Sequence, residues 1–166
     1  MKEINLVEQA QKGNQEAFVQ LINIYKESLY RTAFAFLKNE QDALEAVQEV
    51  TYRAYLHTGK LKNPTYVKTW LIRIMMNYCQ DQLKLRKRAI HTDQIENLQI
   101  SYDASSLEVE EALTTLGENC KRIIHLKYFW DLKNKEIAEL EDIPEGTVKS
   151  RMHKCMQKLR TFWGRN

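Results

Sequence analysis

Proline and glycine are scarce in this chain of 166 residues, at two and five respectively. A protein made of many short strands needs turn residues at each reversal, so the shortage argues for an all-α fold. Long apolar runs are also lacking. None approaches the ~18 to 20 residues that a membrane span requires, and the opening MKEINLVEQAQKGN lacks the apolar core of a signal peptide. Both absences predict a cytoplasmic protein. Cysteine is limited to Cys79, Cys120 and Cys155. Their odd number and wide spacing predict reduced thiols rather than a disulfide framework. No CxxC pair offers a zinc site, and His153-Lys154-Cys155 alone is a poor one. The GxxxxGK(S/T), HExxH and GxSxG patterns are missing as well. His57, His91, His125 and His153 have no nucleophile or carboxylate partner by spacing. The expectation is a protein that is not an enzyme, with no metal, cofactor or small-molecule substrate.

What is present is charge, unevenly placed. The net charge is only +3, but KLRKR (Lys84 to Arg88) holds four cations in five residues. From Glu145 to Asn166 six Lys/Arg stand against one Glu. Acidic residues gather around Asp42 to Glu49 and Glu108 to Glu118. Two separate basic patches on a bipolar chain fit nucleic acid better than the net charge suggests.

Helical periodicity sets the organisation. A short helix over Asn5 to Gln11 ends at Gly13. Gln15 to Leu37 carries Phe18, Leu21, Ile22, Tyr25, Leu29, Ala33, Phe36 and Leu37 on the 3.6-residue period. KNEQ (Lys38 to Gln41) turns into a third helix, Asp42 to His57. Ala43, Val47, Val50 and Ala54 face inward there, and Asp42, Glu45, Gln48 and Glu49 face out. TGKLKNPT (Thr58 to Thr65), with Gly59 and Pro64, reads as a loop. A fourth helix follows, Tyr66 to Arg88, with Val67, Leu71, Ile74, Tyr78 and Leu85 on its inner side, flanked by Trp70 and Met75. Trp70 could be a melting wedge, but an aromatic at helical spacing belongs more often to the core. Residues 89–105 are polar and aperiodic and read as a flexible linker. Ser106 to Leu116, Glu118 to Phe129, Lys133 to Leu140 and Pro144 to Phe162 then form a second small bundle with a thin core. The predicted domains are residues 1–88 and 106–166.

The final pair of helices carries the clearest motif. KNKEIAEL, the turn EDIPEG and a longer basic helix follow the helix-turn-helix plan, in which the second helix enters the major groove. Pro144 suits the first position of that helix, where its missing N–H costs nothing. Gly146 would let the backbone come close to a phosphate or a neighbouring helix. Val148, Met152, Cys155, Leu159 and Phe162 form the buried stripe. Thr147, Ser150, Arg151, Lys154 and Lys158 lie opposite, with Lys149 and His153 beside them, an arrangement suited to bases and phosphates. Lys133 stands where an N-capping Ser or Thr is expected, a defect costing roughly 1 kcal/mol.

Three stretches together carry a resemblance. DALEAVQEVTYRAY (Asp42 to Tyr55), VKTWLIRIMMNYCQDQLKLRKR (Val67 to Arg88) and the run from Ala112 to Arg160 resemble regions 2 and 4 of the extracytoplasmic-function sigma factors, in order. These are the smallest group of the bacterial sigma-70 family, and NPTYVKTW is most similar to members from Bacillus-type bacteria. The resemblance implies a four-helix region 2 and a helix-turn-helix region 4. It implies a protein that binds core RNA polymerase, through the β′ coiled coil and the β flap, directs it to promoter DNA and helps open the duplex. Asp42, Glu45, Gln48 and Glu49 match the face that docks on the β′ coiled coil. Lys60 to Thr65 match the loop that captures a flipped base of the −10 element, with Lys62, Asn63 and Tyr66 lining it. Asn77 matches a −10-reading position, and Arg73, Lys84, Arg86, Lys87 and Arg88 would follow the DNA backbone. Thr147, Lys149, Ser150, Arg151, His153 and Lys154 match the −35-reading helix. Leu116-Gly117 replaces the family's usual Leu-Pro, which should loosen that turn. Members are usually held by an anti-sigma factor, often membrane-anchored. The alternative is a helix-turn-helix regulator that acts without docking on polymerase; the acidic third helix and the loop before VKTWLIRIMMN speak against it.

Overall fold

The computed structural model describes residues 2–90, 112 and 115–164. All regular structure among them is helical. The chain divides into two compact units, Met1–Glu96 and Asn97–Asn166. Residues 91–105 of the expected linker lie outside the described residues, as does most of the expected helix over Ser106 to Leu116, of which Ala112 and Thr115 are helical.

In the first unit α1 spans Lys2–Gln11, α2 Gln15–Leu37, α3 Glu40–His57 and α4 Val67–Ile90. Gly13, at φ +90°, turns the chain after α1 in a conformation that L side chains resist. Asn14 then caps α2 by accepting from the Ala17 N–H at 3.0 Å. The turn into α3 is tighter than KNEQ suggests. Lys38 adopts φ 56° with its N–H on the Phe34 carbonyl, and Asn39 caps α3 by accepting from Asp42 N at 2.9 Å. Helix α2 is the central element, packed against α1, α3 and α4. All eight residues of its expected stripe are buried. Leu21, Leu29 and Leu37 are fully enclosed, together with Val7, Val50, Leu71, Ile72, Met75 and Met76. Burying each such side chain contributes about 1.5 to 3 kcal/mol, and Leu29→Ala would remove about 2 to 5 kcal/mol.

Four expected positions differ. Ile74 is half-buried, and Ile72 and Met76 of α4 are enclosed instead. Val47 is half-buried, and the close packing of α3 rests on small Ala43, Ala46 and Ala54 around Val50. Trp70 is half-buried rather than enclosed. Leu85 is exposed. The cause is the length of α4: Arg86, one residue on, already reaches the ends of α2 and α3 by bonding the Leu37 carbonyl and the Asp42 carboxylate. Leu85 therefore sits at the rim, where no helix covers it.

The second unit contains α5 (Glu118–Ile124), a wide π-type turn (His125–Phe129), α6 (Asn134–Glu141) and α7 (Glu145–Trp163). Both α5 and α6 pack on α7. Val148, Cys155 and Leu159 of α7 are buried, while Met152 and Phe162 are half-buried. Pro144 is the N-cap rather than the first helical residue. Its extended ψ of 145° is what the end of a turn requires, and the helix begins one residue later. The Lys133 defect is partly repaired: Glu136 accepts from the Lys133 N–H at 2.7 Å. That is half of a capping box, because an ammonium cannot accept the reciprocal bond.

Two further expectations are corrected. Cys120 and Cys155 are not separate thiols; they are joined in a disulfide between α5 and α7, Cα atoms 5.4 Å apart. Wide spacing in sequence says nothing against contact when a helical hairpin folds the chain back. Only Cys79 keeps its thiol, buried against the Met75 sulfur at 3.7 Å. Gly117 does not merely loosen a turn. It adopts φ 75°, which a proline ring locked near −65° cannot reach.

Candidate nucleic-acid interface

Helix α4 presents one exposed cationic face. Arg73, Asn77, Lys84, Lys87 and Arg88 are all exposed, and their steps of four, seven, three and one keep them within roughly a third of a turn at 3.6 residues per turn. Arg86 falls on the other side. Its guanidinium is held by the Leu37 carbonyl at 2.7 Å and by the Asp42 carboxylate. Sequence reasoning gave these two residues to different partners, Asp42 to polymerase and Arg86 to DNA. The structure brings them together as a clamp between α4 and the α2–α3 corner. The helical phase, which turns residue 86 nearly opposite to residue 84, was a signal available in the sequence.

On α3, Glu45 and Gln48 are exposed and Glu49 is half-buried. Glu49 bonds Arg53 at 2.7 Å, and Arg53 lies over the Tyr78 ring at 5.4 Å from its centroid. Burial raises the Tyr78 phenol, and Glu45 and Glu49 raise it further. The outer face of α3 also carries exposed Leu44, Tyr52, Tyr55 and Leu56, so it is amphipathic rather than simply acidic.

The segment between α3 and α4 is not a slack loop. It folds as two 3-10 turns, Thr58–Lys60 and Pro64–Tyr66. Asn63 accepts from the Thr65 N–H at 3.1 Å and the Thr65 hydroxyl at 2.7 Å. Its Oδ1 is thus used locally, and its amide nitrogen is the part that can meet a ligand. Lys62, Asn63 and Tyr66 are exposed together. From α1, the Gln11 amide donates to the carbonyls of Thr58 at 3.2 Å and Leu61 at 2.7 Å. This brace was missed in the sequence, where nothing links residue 11 to residue 61.

In the second unit, Lys149, Ser150, Arg151, His153 and Lys154 are exposed and Thr147 is half-buried. Ser150 donates to the Thr147 carbonyl at 3.1 Å, and Lys149 lies 3.3 Å from Glu145. An exposed pair of this kind contributes little and can yield to a phosphate. Among the described residues, nothing beyond its chain neighbours and its own helix backbone lies within 4 Å of the space a Gly146 Cβ would occupy, so its backbone is open on the outside. Behind this face, Arg122 of α5 bonds Glu141 of α6 at 2.6 Å, their side chains only 18% and 15% exposed. His125 stacks on Phe129 at 4.5 Å, and burial, aided by Lys121, pushes its imidazole down to about 4. Among the described residues no group of three or more His, Cys, Asp or Glu could hold a metal ion. None of the described helices is long and apolar enough to cross a membrane.

Comparison with known proteins identifies the family. Residues 21–89 match sigma-70 region 2 and residues 106–159 match sigma-70 region 4. The RNA polymerase sigma factor SigV of Bacillus subtilis is 34% identical over 146 residues, covering 86% of this chain and 88% of its own. The extracytoplasmic-function factor SigW of the same organism is 29% identical, covering 93% and 92%. Among solved structures, CnrH in complex with the cytosolic domain of CnrY shares the fold at a TM-score of 0.79 and 23% identity, covering 100% of this chain and 99% of that one. The sigma factor RpoE of Bartonella quintana, solved with the anti-sigma factor NepR, gives 0.77 at 20% identity, covering 89% and 96%. The chain belongs to the extracytoplasmic-function sigma factors of the sigma-70 family, proteins that direct RNA polymerase to promoters and catalyse no reaction themselves.

Proposed function

We propose that the two units divide promoter recognition between them, residues 1–88 acting at the −10 element and residues 106–166 at the −35 element, in the cytoplasm. The carrying observation is the pair of one-sided cationic helices, α4 with Arg73, Asn77, Lys84, Lys87 and Arg88, and α7 with Lys149, Arg151 and Lys154. The first turns of α7 enter the major groove, where Thr147, Ser150 and His153 meet base edges and the cations meet phosphates. Lys62, Asn63 and Tyr66 receive one extruded base. Unstacking a base costs a few kcal/mol, recovered by stacking on an aromatic such as Tyr66 and by phosphate contacts. Asn77 reads the neighbouring strand, and Lys84, Lys87 and Arg88 follow its backbone. Arg86 supports this face from behind rather than touching DNA.

Core polymerase docks on α3. Glu45, Gln48 and Glu49 supply complementarity to a basic partner surface, and the exposed Leu44, Tyr52 and Tyr55 supply apolar anchors. Asp42 contributes through its hold on Arg86. The pairing of RpoE with NepR supports an anti-sigma factor as a further partner.

Run-off transcription with purified core polymerase on genomic fragments tests the reading. Discrete start sites should appear only when the protein is added, and Glu49→Lys should abolish them by weakening core binding. Core that initiates nowhere, beside a protein that alone footprints duplex DNA, would instead establish an ordinary helix-turn-helix regulator.

A further inference from the structure

We propose that Cys120 and Cys155 are a thiol–disulfide exchange site, taking low-molecular-weight thiols and disulfides as co-reactants, whose oxidation state sets how firmly α7 is held. The consequence for DNA binding rests on the reading of α7 given above; the exchange site itself does not.

The bond spans 35 residues and encloses the π-type turn, α6 and the first half of α7. It therefore closes α6, the turn and the N-terminal turns of α7 into one loop. The surrounding core is thin: Ala112, Leu116 and Leu159 are buried there, and Cys120, Ile124, Met156 and Phe162 are only partly covered. The rest of the unit's core, around Leu126, Ile137 and Val148, lies inside the loop that the cross-link closes, so the bond constrains the packing of α5 on α7 most directly. Cys155 is buried and Cys120 only partly so, which makes Cys120 the side from which a soluble thiol approaches. Cys79, buried in the first unit, is shielded from the same reagents. In a cytoplasm rich in thiols, a protein disulfide is transient or senses redox state rather than being permanently structural.

The step balances. A thiolate attacks the Cys120 sulfur, the S–S bond breaks, and Cys155 leaves as a thiolate that takes a proton from water. A second thiolate attacks the outer sulfur of the mixed disulfide, releasing RSSR and the Cys120 thiolate, which is protonated in turn. Two RSH are oxidised to one RSSR while the protein bond gains two electrons and two protons. The reverse, with RSSR as oxidant, restores the bond.

Losing the cross-link shifts the folding equilibrium of this unit toward the open state by on the order of a hundredfold. If that leaves a fifth of molecules competent, apparent DNA affinity falls about fivefold.

The test equilibrates the full-length protein with mixtures of reduced and oxidised glutathione. Alkylation and mass measurement report each cysteine, and hydrogen exchange reports α7. Cys120 and Cys155 should convert together at one midpoint, with Cys79 remaining a thiol, and α7 protection should fall on reduction. Cys79→Ser should keep this response, and Cys120→Ala should remain at the reduced-state protection throughout. A pair that stays reduced even in oxidised glutathione, or that converts with α7 unchanged, overturns the proposal. Retention of a duplex selected from a random pool by the oxidised protein with core polymerase separates the two readings. No selectable duplex in either state would sink the DNA assignment alone; equal retention in both states would sink the redox control of DNA binding.

Discussion

The side-chain nitrogen of Gln11 lies 2.7 Å from the carbonyl oxygen of Leu61, so the first helix of the chain braces the segment that precedes α4. Gln11→Ala would remove the Gln11 donor from that carbonyl and from the one of Thr58, which keeps the Leu61 N–H at 3.2 Å, at about 1 kcal/mol for each bond lost. Affinity for a single-stranded −10 oligonucleotide should fall about fivefold or more, by that same order of energy. Binding to core polymerase should be unaffected. Hydrogen exchange over residues 58–66 should quicken in parallel. If exchange and affinity both stay at wild-type values, the segment holds its shape without α1.

Arg86 and Lys84 should behave oppositely although they are two residues apart. Lys84→Ala should lower the salt dependence of DNA binding by about one unit of slope with stability unchanged. Arg86→Ala should leave the slope alone and lower stability by about 1 kcal/mol, because the Leu37 carbonyl and Asp42 lose their partner. Salt titrations of binding, paired with urea unfolding, measure both. A slope change in Arg86→Ala would return that residue to the DNA surface.

Gly117 should resist replacement. At φ 75° and ψ 160° an alanine is strained by roughly 1 to 3 kcal/mol, and a proline cannot adopt the angle at all. Gly117→Pro should therefore destabilise the second unit more than Gly117→Ala does, as read by hydrogen exchange in α5. The opposite order would mean that the turn relaxes to negative φ without loss.

His125 predicts a pH dependence confined to the second unit. The imidazole is held neutral down to about pH 4, against an ordinary 6.5, chiefly by burial. Between these values the unfolded chain binds the proton and the folded one does not, so stability falls as pH falls and is flat above about 6.5. The loss by pH 4.5 should be on the order of 2 kcal/mol. His125→Phe, which keeps the stack on Phe129, should flatten the profile. Unfolding followed by the fluorescence of buried Trp130 measures it.

Periodicity made the helices legible, and the stripe from Phe18 to Leu37 is buried as read. Phase was harder. Leu85 lies on the inward side of α4 by spacing, yet α4 runs past the ends of α2 and α3 at Arg86 and its last turn is uncovered, and no single-helix pattern contains where the partner helices end. The motif-bearing faces of α4 and α7 could be read because solvent-facing charge needs no partner. Asp42–Arg86, Gln11–Leu61 and Cys120–Cys155 could not, since each joins residues 35 to 50 positions apart. Their pairing depends on how helices cross.

The bond between Arg122 and Glu141 differs from the chain's other described ion pairs in being largely shielded from water. Exposed surface pairs can lose either member at little cost. Here deletion of one member strands a lone charge, at about 3 to 5 kcal/mol, whereas exchanging both for apolar side chains of similar volume is close to neutral. The two positions are thus a single unit of inheritance: a lineage can keep both ions or neither, but its path between those states crosses a much less stable intermediate.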